Sequence, residues 1–209
     1  ATEFFKNMSI GNLEGKYQQL LVAPVSLKST IMQRIDEEIA KRDQGRIVIK
    51  INSITDVDLI EKLKQASCAG VKIDMIVRGI CCILPGVPGK TENLRVISIV
   101  GRYLEHSRIY CFGTGASEQM YISSADFMTR NTTRRVEVAC PIYDKDVRAK
   151  LHRILDACLS DNVKARVLQS DGSYALRERV GTPVDSQQLM MDQALQRQAE
   201  GPILEKEEH

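Results

Sequence analysis

Four segments of the chain show the residue pattern of helices, three of them with a regular apolar face. A helix is predicted after Ser26, where every fourth residue is leucine or isoleucine, and Gly45 is expected to end it. A second helix is predicted after Asp56, a third covers residues 144–162, and a polar fourth lies near residues 184–199. Serine and aspartate, here Ser26 and Asp56, often cap the start of a helix, because a side-chain oxygen accepts a hydrogen bond from a backbone N–H of the first turn.

Runs rich in β-branched residues lie between and after these helices and predict strands. The predicted strands cover residues 17–24, 46–54, 71–77, 94–100, 108–112, 119–124 and 134–143, and a short strand or hairpin lies within 163–180. Strands separated by helices in the first half predict parallel pairing, whereas consecutive strands in the second half predict antiparallel hairpins. The expected fold class is therefore α/β, with a mixed β-sheet sandwiched between helices.

Composition narrows the class of protein without identifying a function. The chain has 209 residues, a net charge of +2 and 43% apolar residues, which suits a globular protein with a sizeable core. The overall charge does not by itself indicate a polyanionic partner, so any preference for anions must come from local clustering of charge. No stretch reaches the roughly 18 consecutive apolar residues of a membrane span. The six cysteines form no CxxC pair, so we expect reduced thiols and no structural zinc site.

The polarity of both ends sets the expected domain boundaries. Residues 1–16 are expected to be a linker or the remnant of a preceding domain, since they are polar and show little periodicity. Residues 17–181 are expected to form one α/β domain. Residues 182–209 are expected to be a polar C-terminal tail, helical in part. The chain begins at Ala1 rather than methionine, which fits a piece of a longer protein and equally fits N-terminal processing.

The candidate chemistry is concentrated in residues 103–138. His106 lies two residues before Arg108, and a small, hydroxyl-rich turn follows at residues 123–126, with Ser124 in its middle. Three more arginines come directly afterwards: Arg130, Arg134 and Arg135. Imidazole can act as nucleophile, acid or base near neutral pH, and the guanidinium fork matches phosphate oxygens in pairs. This combination suits a phosphate-bearing, anionic substrate.

Arg78 is a further candidate, because it follows the predicted strand 71–77. Open α/β sheets bind ligands at the carboxyl ends of their strands, which is where Arg78 would lie. Surface ion pairs are the competing interpretation for these arginines, with Glu105, Asp126 and Glu137 as available partners. Charge counting alone leaves the two interpretations in balance.

Other features of the sequence are weaker candidates. PGVPGKT at residues 85–91 ends like a phosphate-binding P-loop, but that motif needs a glycine where Leu84 stands, so a surface loop is predicted. His152 lies beside the apolar stripe of the 144–162 helix, which favours a structural role. His209 is the last residue and has no motif around it.

The motifs around His106 resemble those of a known superfamily and, more specifically, of a known family. His106-Ser-Arg108, followed by residues 122–126 and Arg130-Asn, resembles the phospholipase D signature, with Arg108 in place of its usual lysine and Ser123 in place of its usual glycine. Longer stretches resemble the C-terminal domain of polyphosphate kinase. They are IVRGICCILPGVPG (76–89), ISIVGRYLEHSRIYCF (97–112), YISSADFMTRN (121–131) and RRVEVACPIYD (134–144).

The resemblance implies that residues 17–181 form a C-terminal phospholipase-D-like catalytic domain. Family members transfer the terminal phosphate of ATP reversibly to inorganic polyphosphate, through a phosphohistidine in a preceding domain that this chain lacks. Arg78 matches a position contacting nucleotide phosphates, His106 the second active-site histidine, and Arg135 an arginine of the phosphate tunnel. Arg108, Arg130 and Ser124 are added from the motif itself as ATP- or phosphate-binding candidates.

The resemblance also implies cofactors and partners. Mg²⁺ is expected for the full-length enzyme, with no ligands in this chain, and ATP as substrate. Partners are expected to be ATP, ADP and inorganic polyphosphate, without nucleic acid, and the full-length enzyme is a candidate homo-oligomer. The location is expected to be cytoplasmic, with peripheral membrane association left open.

Two other functions remain open at the level of sequence. The first is a phospholipase-D-type phosphodiesterase that dimerises to pair two copies of His106. The second is a non-catalytic module that binds polyanions. Hydrolysis of a model phosphodiester would favour the former, and salt-sensitive binding without nucleotide preference would favour the latter.

Overall fold

The computed structural model describes residues 1–12 and 14–199. Its helices are α1 (Thr2–Ser9), α2 (Leu27–Lys41), α3 (Val57–Cys68), α4 (Thr129–Thr133), α5 (Lys145–Ser160) and α6 (Ser186–Ala199). Its strands are β1 (Leu21–Val22), β2 (Arg46–Ile51), β3 (Lys72–Val77), β4 (Leu94–Ser98), β5 (Ile109–Phe112), β6 (Gln119–Ser123), β7 (Val138–Pro141), β8 (Arg166–Leu168) and β9 (Tyr174–Leu176). Three-residue 3₁₀ turns lie at Arg42–Gln44 and Gly115–Ser117.

The strands of the described residues form one mixed sheet in the order β1-β7-β6-β5-β2-β3-β4-β8-β9. β2, β3 and β4 run parallel to one another, with α3 crossing between β2 and β3. All other neighbours pair antiparallel. The α/β fold class and the split between parallel and antiparallel halves are therefore confirmed.

Each face of the sheet is covered by its own pair of helices. α2 and α3 pack on one face, where alternate β2 residues such as Ile47 and Ile49 meet Ile31 and Leu63. α5 and α6 cover the other face, where Val48 meets a second apolar cluster that includes Leu155, Cys158 and Met190. Because successive side chains of a strand point to opposite faces, β2 contributes to both cores.

Helix capping follows the predicted pattern at one of two positions. The Asp56 side chain accepts hydrogen bonds from the Asp58 and Leu59 backbone N–H groups, as expected for the N-cap of α3. Ser26 stands at the N-cap position of α2, but its hydroxyl accepts from the Val22 N–H (3.0 Å) and forms no side-chain cap. The Ser26 hydroxyl therefore fixes the entry to the helix rather than its first turn.

Several predicted elements differ from the structure. Residues 1–16, for which the sequence predicts no helix or strand, contain α1. The predicted strand 17–24 is reduced to Leu21–Val22, and the predicted strand 134–143 to Val138–Pro141. The short helix α4 was not predicted, since Thr-Arg-Asn-Thr-Thr has weak helix propensity. It is held by tertiary contacts, among them a hydrogen bond from the Thr132 hydroxyl to the buried Asp56 carboxylate (2.8 Å).

The two ends of the chain show different relations to the domain. The polar helix predicted near 184–199 is present as α6, and it packs against α5 instead of extending away as a tail. Residues 200–209, the remainder of that predicted tail, lie outside the described residues, as does His209. Within the described ranges, no helix combines the length and the apolarity needed to cross a membrane.

Candidate functional site

One edge of the sheet gathers the sequence-predicted site residues. The parallel strands β2, β3 and β4 end at this edge, and β6 ends there as well, because Ile122 pairs with Ile109 at the start of β5. β5 and β7 begin at the same edge. The segments that follow β3, precede β5, follow β6 and precede β7 therefore meet there, which is where open α/β sheets bind ligands.

Arg78 and His106 are in direct contact at this edge. Arg78 directly follows β3, and its Nη2 lies 3.2 Å from His106 Nδ1, while its Nε donates to the Glu105 carbonyl. A guanidinium can only donate, so Nδ1 accepts, and the neutral imidazole then carries its proton on Nε2. The His106 side chain is exposed. The Nε2–H group is thus the imidazole donor available to a ligand.

Arg108 is anchored by a buried carboxylate. Its Nε and Nη2 donate to the two oxygens of Asp126, each at 3.1 Å, and its Nη1 donates to the His106 carbonyl (3.0 Å). Asp126 also accepts from the backbone N–H of Asn52 (2.7 Å). Burial opposes ionisation of this carboxyl, but the hydrogen bonds from Arg108 and Asn52 hold its pKa below the ordinary value. Arg108 therefore supports the His106 backbone, while its charge is paired with that of Asp126.

Ser124 belongs to a second buried carboxylate cluster at the same edge. Its hydroxyl donates to Glu137 and accepts from the Val138 N–H (3.1 Å). The other Glu137 oxygen accepts from the Asn131 side-chain amide (2.6 Å). Glu137 is 8% exposed and joins the turn after β6 to α4 and to the start of β7. The sequence offered Glu137 only as a salt-bridge partner, and its burial depends on contacts with Ser124 and Asn131 that the sequence does not indicate.

The remaining arginines lie on the surface beside this cluster. Arg130 is exposed on α4, and Arg134 and Arg135 are exposed in the segment that leads to β7. Within residues 1–12 and 14–199, none of the three side chains forms an ion pair or a hydrogen bond. The competing interpretation, that these arginines serve surface ion pairs, finds no support among the described contacts, and their charges remain available to an anion.

Two further residues of the site escaped the sequence reasoning. Lys50, 4% exposed near the end of β2, forms an ion pair with Glu105 (2.8 Å) on the α5/α6 face of the sheet. Gln187 of α6 donates to the same Glu105 carboxylate (2.9 Å). Burial favours the neutral form of Glu105, but the hydrogen bonds from Lys50 and Gln187 hold its pKa below the ordinary value. The charged Lys50 within the predicted strand 46–54 was the signal in the sequence that could have indicated this buried ion pair.

His152 is separate from this site. Its Nε2 lies 3.0 Å from the buried carboxylate of Glu118, and the Cys111 thiol donates to the other Glu118 oxygen (3.0 Å). Glu118 directly precedes β6, at the end of that strand remote from Ser123. The predicted structural role of His152 agrees with this placement.

The described residues do not fit a protein-built Mg²⁺ site. Within residues 1–12 and 14–199, no group of three or more His, Cys, Asp and Glu side chains is arranged to hold a metal ion. The buried carboxylates at the edge, Asp126 and Glu137, already accept hydrogen bonds on both of their oxygens. Oxygen ligands for a hard cation are therefore not offered by this site.

The fold is that of an α/β domain of phospholipase D type. Nuc, a phospholipase D family member from Salmonella typhimurium, superimposes with a TM-score of 0.53 at 16% sequence identity. The match covers 73% of this chain and 97% of Nuc. At this identity the likeness concerns the fold alone, and it confirms the phospholipase-D-like architecture expected from the sequence.

Closer matches show the family. Residues 20–188 match the model described as polyphosphate kinase C-terminal domain 2. The polyphosphate kinase of Staphylococcus haemolyticus is 46% identical over 198 residues, which cover 93% of this chain and 28% of that protein. The crystal structure of polyphosphate kinase from Porphyromonas gingivalis gives a TM-score of 0.87 at 37% identity and covers 95% of this chain and 31% of that one. This chain belongs to the polyphosphate kinase family and spans about a quarter to a third of such relatives.

Proposed function

We propose that this chain is the C-terminal part of an ATP:polyphosphate phosphotransferase. The proposal is supported by the family assignment together with one observation, the contact between Arg78 and His106 at the carboxyl edge of the sheet. In the proposed reaction, a histidine of a preceding domain attacks the terminal phosphorus of ATP. The N–P bond forms and the P–O bond to ADP breaks. Transfer to a terminal oxygen of polyphosphate then forms a new P–O bond and frees the histidine, and both steps are reversible.

In this scheme, His106 and Arg78 hold the phosphoryl group between donor and acceptor. The exposed Nε2–H of His106 donates to a phosphoryl oxygen, and the Arg78 guanidinium balances the charge that spreads over the oxygens in the transition state. Arg78 also fixes the imidazole tautomer through Nδ1. The tautomer favours hydrogen-bond donation by His106 over nucleophilic attack through Nε2, in keeping with a phosphohistidine on the other domain.

The exposed arginines extend the positive surface away from this contact. Arg130 directly precedes Asn131 and Arg135 lies two residues before Glu137, and the side chains of both arginines have no acidic partner among residues 1–12 and 14–199. We propose that they bind phosphates of the nucleotide or of polyphosphate. The Ser124 hydroxyl donates to Glu137, so its contribution to phosphate binding would require that hydrogen bond to be exchanged.

Mg²⁺ remains part of the proposal for the complete enzyme only. Since the described residues provide no oxygen cluster for the ion, we derive no step of the reaction from it. The nucleotide phosphates and residues outside this chain would have to supply its ligands. Binding of ATP, ADP and polyphosphate, and assembly of the complete enzyme into a homo-oligomer, are likewise proposed from the family.

The test is steady-state phosphate transfer from ATP to polyphosphate by the complete enzyme. Arg78→Ala is expected to lower kcat/KM at least tenfold, about 1.4 kcal/mol of transition-state stabilisation, and His106→Ala at least as much. His152→Ala is the matched control, because its imidazole also contacts a charged side chain but lies outside the site. An unchanged kcat/KM in Arg78→Ala would refute the role proposed for Arg78 in the reaction. The 209-residue chain alone is expected to be inactive, and transfer by the pure chain would contradict the role given to the preceding domain.

The phosphodiesterase alternative is less well supported by the geometry. A free cation beside His106 would be expected at position 108, but the Arg108 guanidinium is committed to Asp126 and to the His106 carbonyl. Hydrolysis of a model phosphodiester by this chain, abolished in His106→Ala, would restore that alternative. Polyanion binding without nucleotide preference would instead favour the non-catalytic module.

A further inference from the structure

The loop that carries His106 is held by neighbouring side chains rather than by its own secondary structure. It connects β4 to β5, and residues 99–108 form neither helix nor strand. Val100 and Leu104 in this loop are both 72% exposed. Ile99 is buried in the core at the start of the loop, but beyond it the exposed Val100 and Leu104 restrain the chain little, so the conformation of the loop depends on polar contacts from the rest of the fold.

Gln187 supplies three of these contacts. Its Oε1 accepts from the Tyr103 N–H (2.9 Å), and its Nε2 donates to the Tyr103 carbonyl (2.8 Å). The same Nε2 donates to the Glu105 carboxylate (2.9 Å). The side-chain amide thus pairs with both backbone groups of Tyr103, as a neighbouring strand would. We call this pairing the Gln187 clip.

The clip is connected to His106 through Glu105. The Glu105 carboxylate is held between Gln187 and Lys50, and its backbone carbonyl accepts from Arg78 Nε. Arg78 in turn contacts His106 Nδ1. Only one peptide bond separates Glu105 from His106. Displacement of Glu105 would therefore move the imidazole and the guanidinium that holds it.

The clip has a rigid support on the far side. Gln187 is 7% exposed in the first turn of α6, and the preceding Ser186 is fully buried. The backbone N–H and the hydroxyl of Ser186 both donate to Asp161 at the end of α5 (2.9 and 2.8 Å). The position of Gln187 is thus set by two packed helices and not by the loop.

Gly101 shows how closely the loop approaches the clip. A Cβ atom added at Gly101 would lie 2.5 Å from Gln187 Oε1, which is too close for any real contact. The end of a glutamine side chain is normally free to move away, but here both of its polar atoms are engaged. An alanine at position 101 would therefore displace the amide from Tyr103.

We propose that Gln187 is a positioning residue for His106. The polar helix α6, although remote in the chain, thereby contributes to the geometry of the phosphoryl-transfer site. The proposal rests on the function proposed above. Gln187 touches no reacting atom, and its effect passes through Tyr103 and Glu105. Its removal should leave the fold intact while the loop samples conformations in which His106 is misplaced.

The test uses the complete enzyme with Gln187→Ala, and with Gly101→Ala as an independent disruption of the clip from the loop side. Gln188→Ala is the matched control, because Gln188 is the neighbouring glutamine of α6 but is exposed, and its side chain donates to Asp192 within the same helix and not to the His106 loop. Peptide-level hydrogen exchange followed by mass spectrometry measures the mobility of residues 99–108. Phosphate transfer from ATP gives kcat.

Both clip variants should accelerate exchange in 99–108 at least tenfold, leave exchange in α2 and β3 unchanged and lower kcat about tenfold or more. The control should change neither rate by more than twofold. Unchanged exchange in 99–108 would overturn the clip, and faster exchange with unchanged kcat would overturn its role in positioning His106. If Gln187→Ala accelerates exchange throughout the domain, Gly101→Ala decides by the same criteria. Absence of transfer in the wild type would refute the proposed function instead, and the exchange results would still test the clip.

Discussion

The ion pair between Arg108 and Asp126 is expected to be a large single contribution to the stability of the site edge. We consider the isosteric change Asp126→Asn, which removes the charge and replaces one oxygen by an NH₂ group. Asp126 Oδ1 accepts from the Asn52 N–H, the Ser53 N–H and Arg108 Nε, and Oδ2 accepts from Arg108 Nη2 and the Asn52 amide. Whichever way the new amide is turned, it places a donor against at least two donors.

The expected cost follows from these contacts. Hydrogen bonds to a charged group contribute about 1.5–3 kcal/mol each, and breaking a buried ion pair costs about 3–5 kcal/mol. Asp126 is 7% exposed, but the Arg108 side chain retains 19% exposure, so water can solvate part of the guanidinium left behind. We therefore expect the free energy of unfolding to fall by about 3 kcal/mol in Asp126→Asn, near the lower end of the buried range.

Urea unfolding at pH 7 measures this loss, with Asp36→Asn as control. Asp36 is also an aspartate paired with one cation, Lys62 at 2.9 Å, but its side chain is 55% exposed, and exposed pairs contribute about 0–1 kcal/mol. A loss below about 1 kcal/mol in Asp126→Asn, or one no larger than that of the control, would refute the inference that the Arg108–Asp126 pair stabilises this edge.

Two further predictions concern titratable groups elsewhere in the fold. Burial opposes ionisation of Asp161, but hydrogen bonds from Ser186, Lys164 and Ala165 lower its pKa in the folded state, as Arg108 lowers that of Asp126. The stabilisation that these two ionised carboxylates provide is therefore fully present above the ordinary carboxyl pKa of about 4 and is lost as pH falls through their folded-state pKa values. Urea titrations at pH 6 and pH 3 should show that the free energy of unfolding falls with pH, and that it falls less in Asp161→Asn than in the wild type. Equal falls in the two proteins would contradict this prediction. Burial raises the pKa of Cys158 to about 11 and raises that of Cys111 as well. Iodoacetamide at pH 7.5 should therefore label the exposed Cys68 and Cys82, while Cys111 and Cys158 remain largely unlabelled. Labelling of all four cysteines at equal rates would contradict this reasoning.

The elements that sequence predicts well are those whose own residues determine them. β2 and β3 are β-branched runs, and α3 starts at an aspartate that caps it, so local chemistry and tertiary packing agree there. The placement of Arg78 at the end of β3 follows directly from such an element. Its contact with His106 is consistent with a resemblance that covers the motifs around both residues.

The parts that sequence does not predict depend on partners far along the chain. α4 is held by Asp56, 76 residues away from Thr132, and no local propensity favours a helix there. Glu137 is buried because Ser124 and Asn131 satisfy its oxygens, and the Lys50–Glu105 pair requires β2 to lie beside the His106 loop. Hydrophobic periodicity carries no information about such polar contacts, so sequence places Gln187 in a polar tail and assigns it no role.

The long-range contacts of the His106 loop have a kinetic consequence. Tyr103 and Gln187 are separated by 84 residues, and β2 must pair with both β3 and β5 before Lys50 can meet Glu105. Contacts closed over such distances form after the local ones, because the entropy of closing the chain must be offset by structure already in place. During synthesis, α6 also emerges after every strand that the described residues form. The catalytic geometry proposed here is therefore among the last features to form, and a chain stopped before α6 would carry every charged residue of the site without the arrangement that makes them useful.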